Sequence, residues 1–312
     1  IGIADIIEKE FNMGDRLKGK VAVISGSSMG IGRALAVDMA REGADIIVNA
    51  RNVDKCKEVV ADIEALGRKA VPVAADISIK EQAENLINAA VDNFGKIDIL
   101  VNNAGFLRDR MLWKMSDEEF DEIIRVFIYG YFYCLRRASQ LMREQNWGRV
   151  INMSSRVALG NSGQVNYGTA KTGILGMTRC AARDLGRKSV TVNSIFPGAA
   201  SRLTVTKEVL DSKGKRQDKD VNTIARVGDL LEDPEYFTPF ITWLCTDEAA
   251  NVNGQTFFVR GRQISLYAAA PDMKSSIFAP NEGWTVDEVS QIFPKTLGEG
   301  LVNPAPPVED KK

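Results

Sequence analysis

Short apolar runs alternate with helical stretches through the first two-thirds of this chain, and that rhythm decides most of what it can fold into. Val21-Ala22-Val23-Ile24, Asp45-Ile46-Ile47-Val48 and Ala70-Val71-Pro72-Val73-Ala74 each read as a strand, as do residues 97–101, 149–153 and 190–195. Helical stretches fall between them, at residues 31–41, near 54–66 and 80–94, then at 116–143 and 167–185. Ser116-Asp117-Glu118-Glu119 suits a helix start, with a hydroxyl cap and acidic residues in the first turn. The strands are near-continuously apolar rather than alternating, as expected when helices cover both faces of a sheet. The expected class is therefore α/β, a single doubly wound parallel sheet with helices on both faces.

Three regions flank or break the rhythm. Residues 1–16 form an N-terminal extension, 17–267 the domain, and 268–312 a C-terminal extension. Residues 204–229 are rich in Lys and Asp; they read either as a segment over a site or as a solvated surface helix. Gln255-Thr256-Phe257-Phe258-Val259 adds another strand. The tail ends in a Pro-rich, charged stretch, and Ile277, Phe278, Trp284, Val286, Val289, Ile292 and Phe293 give it apolar anchors for a neighbouring subunit or the substrate pocket.

Composition excludes several function classes. The chain has 40 Lys and Arg against 41 Asp and Glu, a formal net charge of −1, so no phosphate-tracking basic face is expected and nucleic acid is not an expected partner. It contains no histidine, which removes a His general base, a His-based triad and His-ligated zinc. Cys56, Cys134, Cys180 and Cys245 are far apart without CxxC spacing, so free thiols and no metal site are expected. The start, Ile1 to Glu8, lacks the basic region of a signal peptide, and Met13 can serve as an internal start. The apolar run near residues 123–135 is interrupted by Arg125 and too short to span a bilayer. The expectation is a cytoplasmic protein with no membrane partner.

Two motifs carry chemistry. Ser25-Gly26-Ser27-Ser28-Met29-Gly30-Ile31-Gly32 follows the first strand and opens the first helix. Gly26 permits a tight turn, Gly30 and Gly32 let backbone approach a diphosphate, and the helix N-terminus attracts the anion. The second strand ends in Ala50-Arg51-Asn52. An acidic residue there would suit NAD; Arg51 suits a 2′-phosphate, so NADP(H) is favoured over NAD(H). Tyr167 and Lys171 stand four residues apart on one helical face. An ammonium beside a phenol favours the phenolate, which makes the pair a plausible general acid/base.

With Asp76 after the third strand, Asn102-Asn103-Ala104-Gly105 after the fourth and Pro197-Gly198 after the sixth, these elements resemble the short-chain dehydrogenase/reductase family over residues 17–266. The resemblance implies a Rossmann-type domain and hydride transfer between a nicotinamide and a carbonyl or alcohol. It implies cofactor contacts from Gly26, Ser28, Met29, Gly30, Ile31, Gly32, Arg51, Asn52, Asp76, Ile77, Asn103, Ala104, Gly105, Tyr167, Lys171, Pro197, Gly198 and Ala200. Tyr167 would move the substrate proton, Lys171 would lower its pKa and hold the nicotinamide ribose, and a serine would bind the substrate oxygen. Two serines compete for that place. The strand end points to Ser155; the family's usual gap of thirteen residues before the tyrosine points to Ser154. Ser155 is preferred, because the strand end fixes geometry.

Two departures stand out. Val126-Phe127-Ile128-Tyr129-Gly130 carries Phe127 where the family commonly has a relay Asn, and a phenyl ring cannot relay a proton. Val259-Arg260-Gly261-Arg262 replaces the common Val-Asp-Gly-Gly. Residues 104–110, 161–167 and 197–204 are similar to the dehydrogenase domain of multifunctional hydroxyacyl-CoA enzymes, and the second of these also to ketoacyl carrier-protein reductases. The substrate implied is a 3-hydroxyacyl or 3-ketoacyl thioester or a bulky ring alcohol. Arg108, Arg110 and Arg202 would meet CoA phosphates or else form surface ion pairs. A homotetramer or dimer is the family's habit. The alternative from a different class is a catalytically quiet nucleotide-binding scaffold, with Phe127 and the tail as its support.

Overall fold

In the computed structural model, residues 14–198, 236–261, 263–268, 276, 286–297 and 299 are described. The chain divides into two compact units, Ile1–Ala269 and Ala270–Lys312. In the first unit eight strands form one sheet in the order β3-β2-β1-β4-β5-β6-β7-β8. The strands are β1 (Val21–Ile24), β2 (Asp45–Ala50), β3 (Ala70–Ala74), β4 (Ile99–Asn102), β5 (Gly148–Met153), β6 (Val190–Pro197), β7 (Thr256–Arg260) and β8 (Gln263–Leu266). All neighbours pair parallel except β7 with β8.

Strand side chains alternate between two cores, as period two requires. Ala22 and Ile24 face one core, with helices α1 (Gly30–Arg41), α2 (Lys57–Ala65) and α7 (Thr238–Leu244). Val21 and Val23 face the other, with α3 (Lys80–Phe94), α5 (Tyr131–Gln145) and α6 (Val165–Leu185). β1, β4 and β5 are buried throughout. Pro72 sits in β3, at the sheet edge, where a missing N–H is tolerated.

Two elements differ from the sequence reading. The helix expected over residues 116–143 is α4 (Asp117–Ile124), a π-helical turn (Arg125–Gly130) and α5. Ser116 does cap its start, in a reciprocal box with Glu119. The other difference is β8. Arg260 pairs with Gln263, and Gly261, which follows Arg260, has a φ of +48°. Past Gly261 the chain adds an antiparallel edge strand, β8. All four cysteines are free.

Residues 199–235, which include Ala200, Arg202 and the Lys- and Asp-rich segment, lie outside the described residues, as do Arg262, Ile277, Phe278 and Trp284. The second unit contains α8 (Val286–Ile292). Among the described residues, no helix is long and apolar enough to cross a membrane.

Candidate active site

The sheet order reverses between β1 and β4, which are adjacent, and the chain leaves both at their carboxyl ends. A crevice forms at such a point because consecutive connections depart to opposite faces. The turn after β1 lines it. Gly26 has φ +65°, and a Cβ there would lie 2.8 Å from Ala104 Cα. A Cβ on Gly32 would lie 2.4 Å from the Gly26 carbonyl oxygen. These two glycines are required by close backbone packing. Gly30 differs: its φ is +54°, and nothing lies within 4 Å of a Cβ built on it. The turn is therefore tight on its protein side and open at the start of α1, a cradle that fits the diphosphate of a dinucleotide.

Four side chains hold this turn, and the sequence reading missed one of them, Asn49. Asn49 Oδ1 accepts from Gly26 N at 3.0 Å, while its Nδ2 donates to the Val73 and Ala75 carbonyls, each at 3.1 Å. Ser27 Oγ accepts from Asn49 N and donates to Ile24 O. Ser25 Oγ accepts from the N–H groups of Asn103 and Ala104. Asn103 Nδ2 donates to the carbonyls of Ser25 and Gly26. A buried polar residue inside the apolar strand β2 was the available signal for Asn49, since such a group needs partners.

The other cofactor candidates surround the same edge. Ser28 and Ile31 are part-buried, and Met29 is exposed. Arg51 follows β2 and is exposed; Asn52 Oδ1 caps the next turn by accepting from Asp54 N. Asp76 Oδ1 accepts from the backbone and hydroxyl of Ser78. Ile77 is buried against the π-helical turn, where a Cβ on Gly130 would lie 2.9 Å from the Ile77 carbonyl oxygen. Gly198 donates its N–H to Val259 O after β6.

The Tyr-Lys pair lies across the crevice, at the start of α6. The Ser155 side chain lies against the Tyr167 phenol and acts to lower its pKa. Ser154 turns the other way, is buried, and donates to Lys171 O at 2.8 Å. Lys171 Nζ donates to Met153 O at 2.6 Å, at the end of β5. Asn166, fully buried, fixes the helix start: its Nδ2 donates to the carbonyls of Arg108 and Glu119, and its Oδ1 accepts from Tyr167 N. Gln164 Nε2 reaches both Asp109 carboxylate oxygens at 2.9 Å, tying the loop after β4 to the same helix start.

Electrostatics differ from the expected lysine effect. Burial pushes the Tyr167 phenol up to about 12, against the Ser155 side chain, which lowers it, and with the Asp109 charge, which raises it further. Burial pushes the Lys171 ammonium well below its ordinary value. Desolvation outweighs charge pairing here because both groups are enclosed by Phe127, Tyr131 and the sheet end.

Of the arginines proposed for phosphates, Arg108 pairs with Glu122 at 2.8 Å and Arg110 with Glu119 at 2.8 Å, both exposed. They form the surface ion pairs of the second reading.

The sequence profile of the short chain dehydrogenases matches residues 20–213. The chain belongs to the short-chain dehydrogenase family. It is 39% identical over 289 residues to the hydroxyacyl-CoA dehydrogenase ChsB1 of Mycobacterium tuberculosis, covering 88% of this chain and 87% of that one. It is 36% identical over 245 residues to the 3-oxoacyl-[acyl-carrier-protein] reductase FabG of Staphylococcus aureus, covering 78% of this chain and 97% of that one. A solved short chain dehydrogenase from Mycobacterium avium superposes with a TM-score of 0.77 at 33% identity, covering 94% of this chain and 98% of that one. As a short-chain dehydrogenase the protein is an oxidoreductase, and NAD(P)(H) is the cofactor class of its family.

Proposed function

We propose that this short-chain dehydrogenase interconverts a secondary alcohol and a ketone on a 3-hydroxyacyl or 3-ketoacyl thioester, with NADP(H) as its preferred cofactor. The observation that carries this reading is the placement of Tyr167 beside Ser155 and Lys171 at the carboxyl edge of the sheet, with Tyr167 and Lys171 buried. Substrate class follows the relatives: one is a hydroxyacyl-CoA dehydrogenase and another a 3-oxoacyl-[acyl-carrier-protein] reductase. Arg51 supports the 2′-phosphate, as the exposed cation after β2.

Gly26, Gly30, Gly32 and the start of α1 would hold the diphosphate, and Asn103, Ala104, Gly105, Pro197 and Gly198 would flank the remainder. The nicotinamide, when bound, supplies or takes the hydride. In the reducing direction the Tyr167 hydroxyl gives its proton to the carbonyl oxygen, and the Ser155 hydroxyl holds that oxygen. With its pKa near 12, Tyr167 keeps that proton at neutral pH and is ready as an acid. The reverse reaction asks the same oxygen to accept a proton.

Oligomers are proposed to form through α5 and α6. Tyr129 and Phe132 stay about half exposed just before and within α5, more apolar surface than a lone solvated helix needs.

The test is NADPH oxidation across ketoacyl thioesters and ketones, with Tyr167→Phe as control. Turnover that survives Tyr167→Phe removes the acid/base assignment. NADPH binding without turnover on any substrate favours the scaffold reading.

A further inference from the structure

The Lys171 amine lies in an aromatic enclosure. Its Nζ is 4.0 Å from the centroid of the Phe127 ring, 5.3 Å from that of Tyr167 and 5.6 Å from that of Tyr131. Phe127 is 1% exposed and meets both tyrosines edge to face, at 5.3 Å from Tyr167 and 5.8 Å from Tyr131. An ammonium has three donors; among the described residues, the one acceptor for this one is Met153 O. A ring face supplies the remaining attraction, since its quadrupole is negative toward a cation within about 6 Å. Phe127 reaches this place from a π-helical turn, a local widening that is frequent at functional sites.

We propose that Phe127 is a positioning residue for the Tyr167–Lys171 pair, its ring holding the Lys171 ammonium and setting the Tyr167 ring against it. The proposal rests on the acid/base reading above and concerns how that pair is held. It gives the phenyl group a role that a proton-relaying side chain would not share. The ring favours the charged amine that burial opposes.

The groups around the amine define what titrates with it. Tyr167 lies on the same helix and Tyr131 on α5, with Cys134 beside Tyr131; from β5 come the Met153 carbonyl and the hydroxyls of Ser154 and Ser155. Asp109 acts on Tyr167 from the loop after β4.

The test uses the full chain with 13C-ε-labelled lysine and no added nucleotide, following the Lys171 resonance by NMR as pH is varied. Lys171→Met identifies the resonance. Two variants remove the ring's attraction: Phe127→Leu, and 3,4,5-trifluorophenylalanine at position 127, which keeps the shape and withdraws charge from the ring face. The expected result is a Lys171 midpoint lower by about 0.5–1.5 pH units in both, the worth of a desolvated cation–π contact. Phe127→Tyr, which keeps the ring face, leaves it near wild type. The trifluoro variant keeps the packing, so it decides the matter where Phe127→Leu unfolds. An unmoved midpoint in the trifluoro variant overturns the proposal. A role confined to packing would lower thermal stability in Phe127→Leu without shifting the midpoint. Turnover surviving in Tyr167→Phe would instead remove the acid/base reading and leave the titration result standing, so the two failures are distinguishable.

Discussion

Phe127 fits beside Lys171 because Gly105 has no side chain: a Cβ on Gly105 would lie 2.2 Å from Phe127 Cζ and 2.3 Å from its Cε1. Gly105 is not among the glycines with positive φ, so space rather than backbone conformation requires it. The loop after β4 and the π-helical turn are therefore matched in size across the site.

That match predicts the effect of Gly105→Ala. The added methyl meets a ring already enclosed on all sides, and overpacking of this kind costs about 1–3 kcal/mol. Thermal unfolding should show a lower Tm, by a few degrees for each kcal/mol in a domain of this size. Adding Phe127→Leu should recover most of the loss, because the two residues share one contact and couple. A Gly105→Ala protein as stable as wild type would contradict the packing argument.

The two serines should separate stability from turnover. Ser154 is buried and spends its hydroxyl on the Lys171 carbonyl, so Ser154→Ala removes one buried hydrogen bond, worth about 1 kcal/mol of stability. Ser155 faces the phenol and accepts from Val157 N. Ser155→Ala should lower kcat by about 100-fold or more, in the range of a positioned hydrogen-bond donor at a developing oxyanion. Steady-state kinetics and thermal unfolding on both variants check this; the reverse pattern would exchange their roles.

The raised Tyr167 pKa sets the pH dependence. A phenol near 12 is protonated throughout the neutral range. Ketone reduction needs that proton, so its kcat/KM should be flat between about pH 6 and 9. Alcohol oxidation needs the phenolate, whose fraction rises tenfold per pH unit below the midpoint, so its kcat/KM should climb with slope near one. The sign for stability is the same: Tyr167 binds its proton more tightly folded than unfolded. Its contribution is fully present below the unfolded pKa of about 10 and is lost as pH rises toward 12. An oxidation profile with a midpoint near 7 would contradict a raised Tyr167 pKa in the working enzyme.

The sheet was legible because its central strands are buried on both faces and so read as near-continuous apolar runs. Tyr167 and Lys171 were legible because a helix converts a spacing of four into a shared face. Three features were not. β8 is only Gln263-Ile264-Ser265-Leu266, an edge strand of four mostly exposed residues, too short for its alternation to stand out. The π-helical turn hides within a continuous helical pattern, because one widened turn leaves composition unchanged. The lysine's effect on the phenol failed for a physical reason: sequence reports which charges are near but not how much water remains around them. Here burial is the largest influence on both groups.

Arg51 leads to the last prediction. It is the first residue after β2, exposed, and directly follows Ala50, which stands where an acidic side chain would take both ribose hydroxyls. Asn49, two residues earlier in β2, is committed to the glycine turn, and Asn52 caps its own turn, so neither is free to replace the guanidinium. Arg51→Ala should weaken NADP+ binding by about tenfold or more, the worth of a charge-assisted hydrogen bond, and leave NAD+ nearly unchanged. Arg51→Asp should go further and reverse the preference, through repulsion of the 2′-phosphate. Calorimetric titration of both nucleotides on each variant measures the two differences. Equal losses for NADP+ and NAD+ would mean that Arg51 does not read the phosphate.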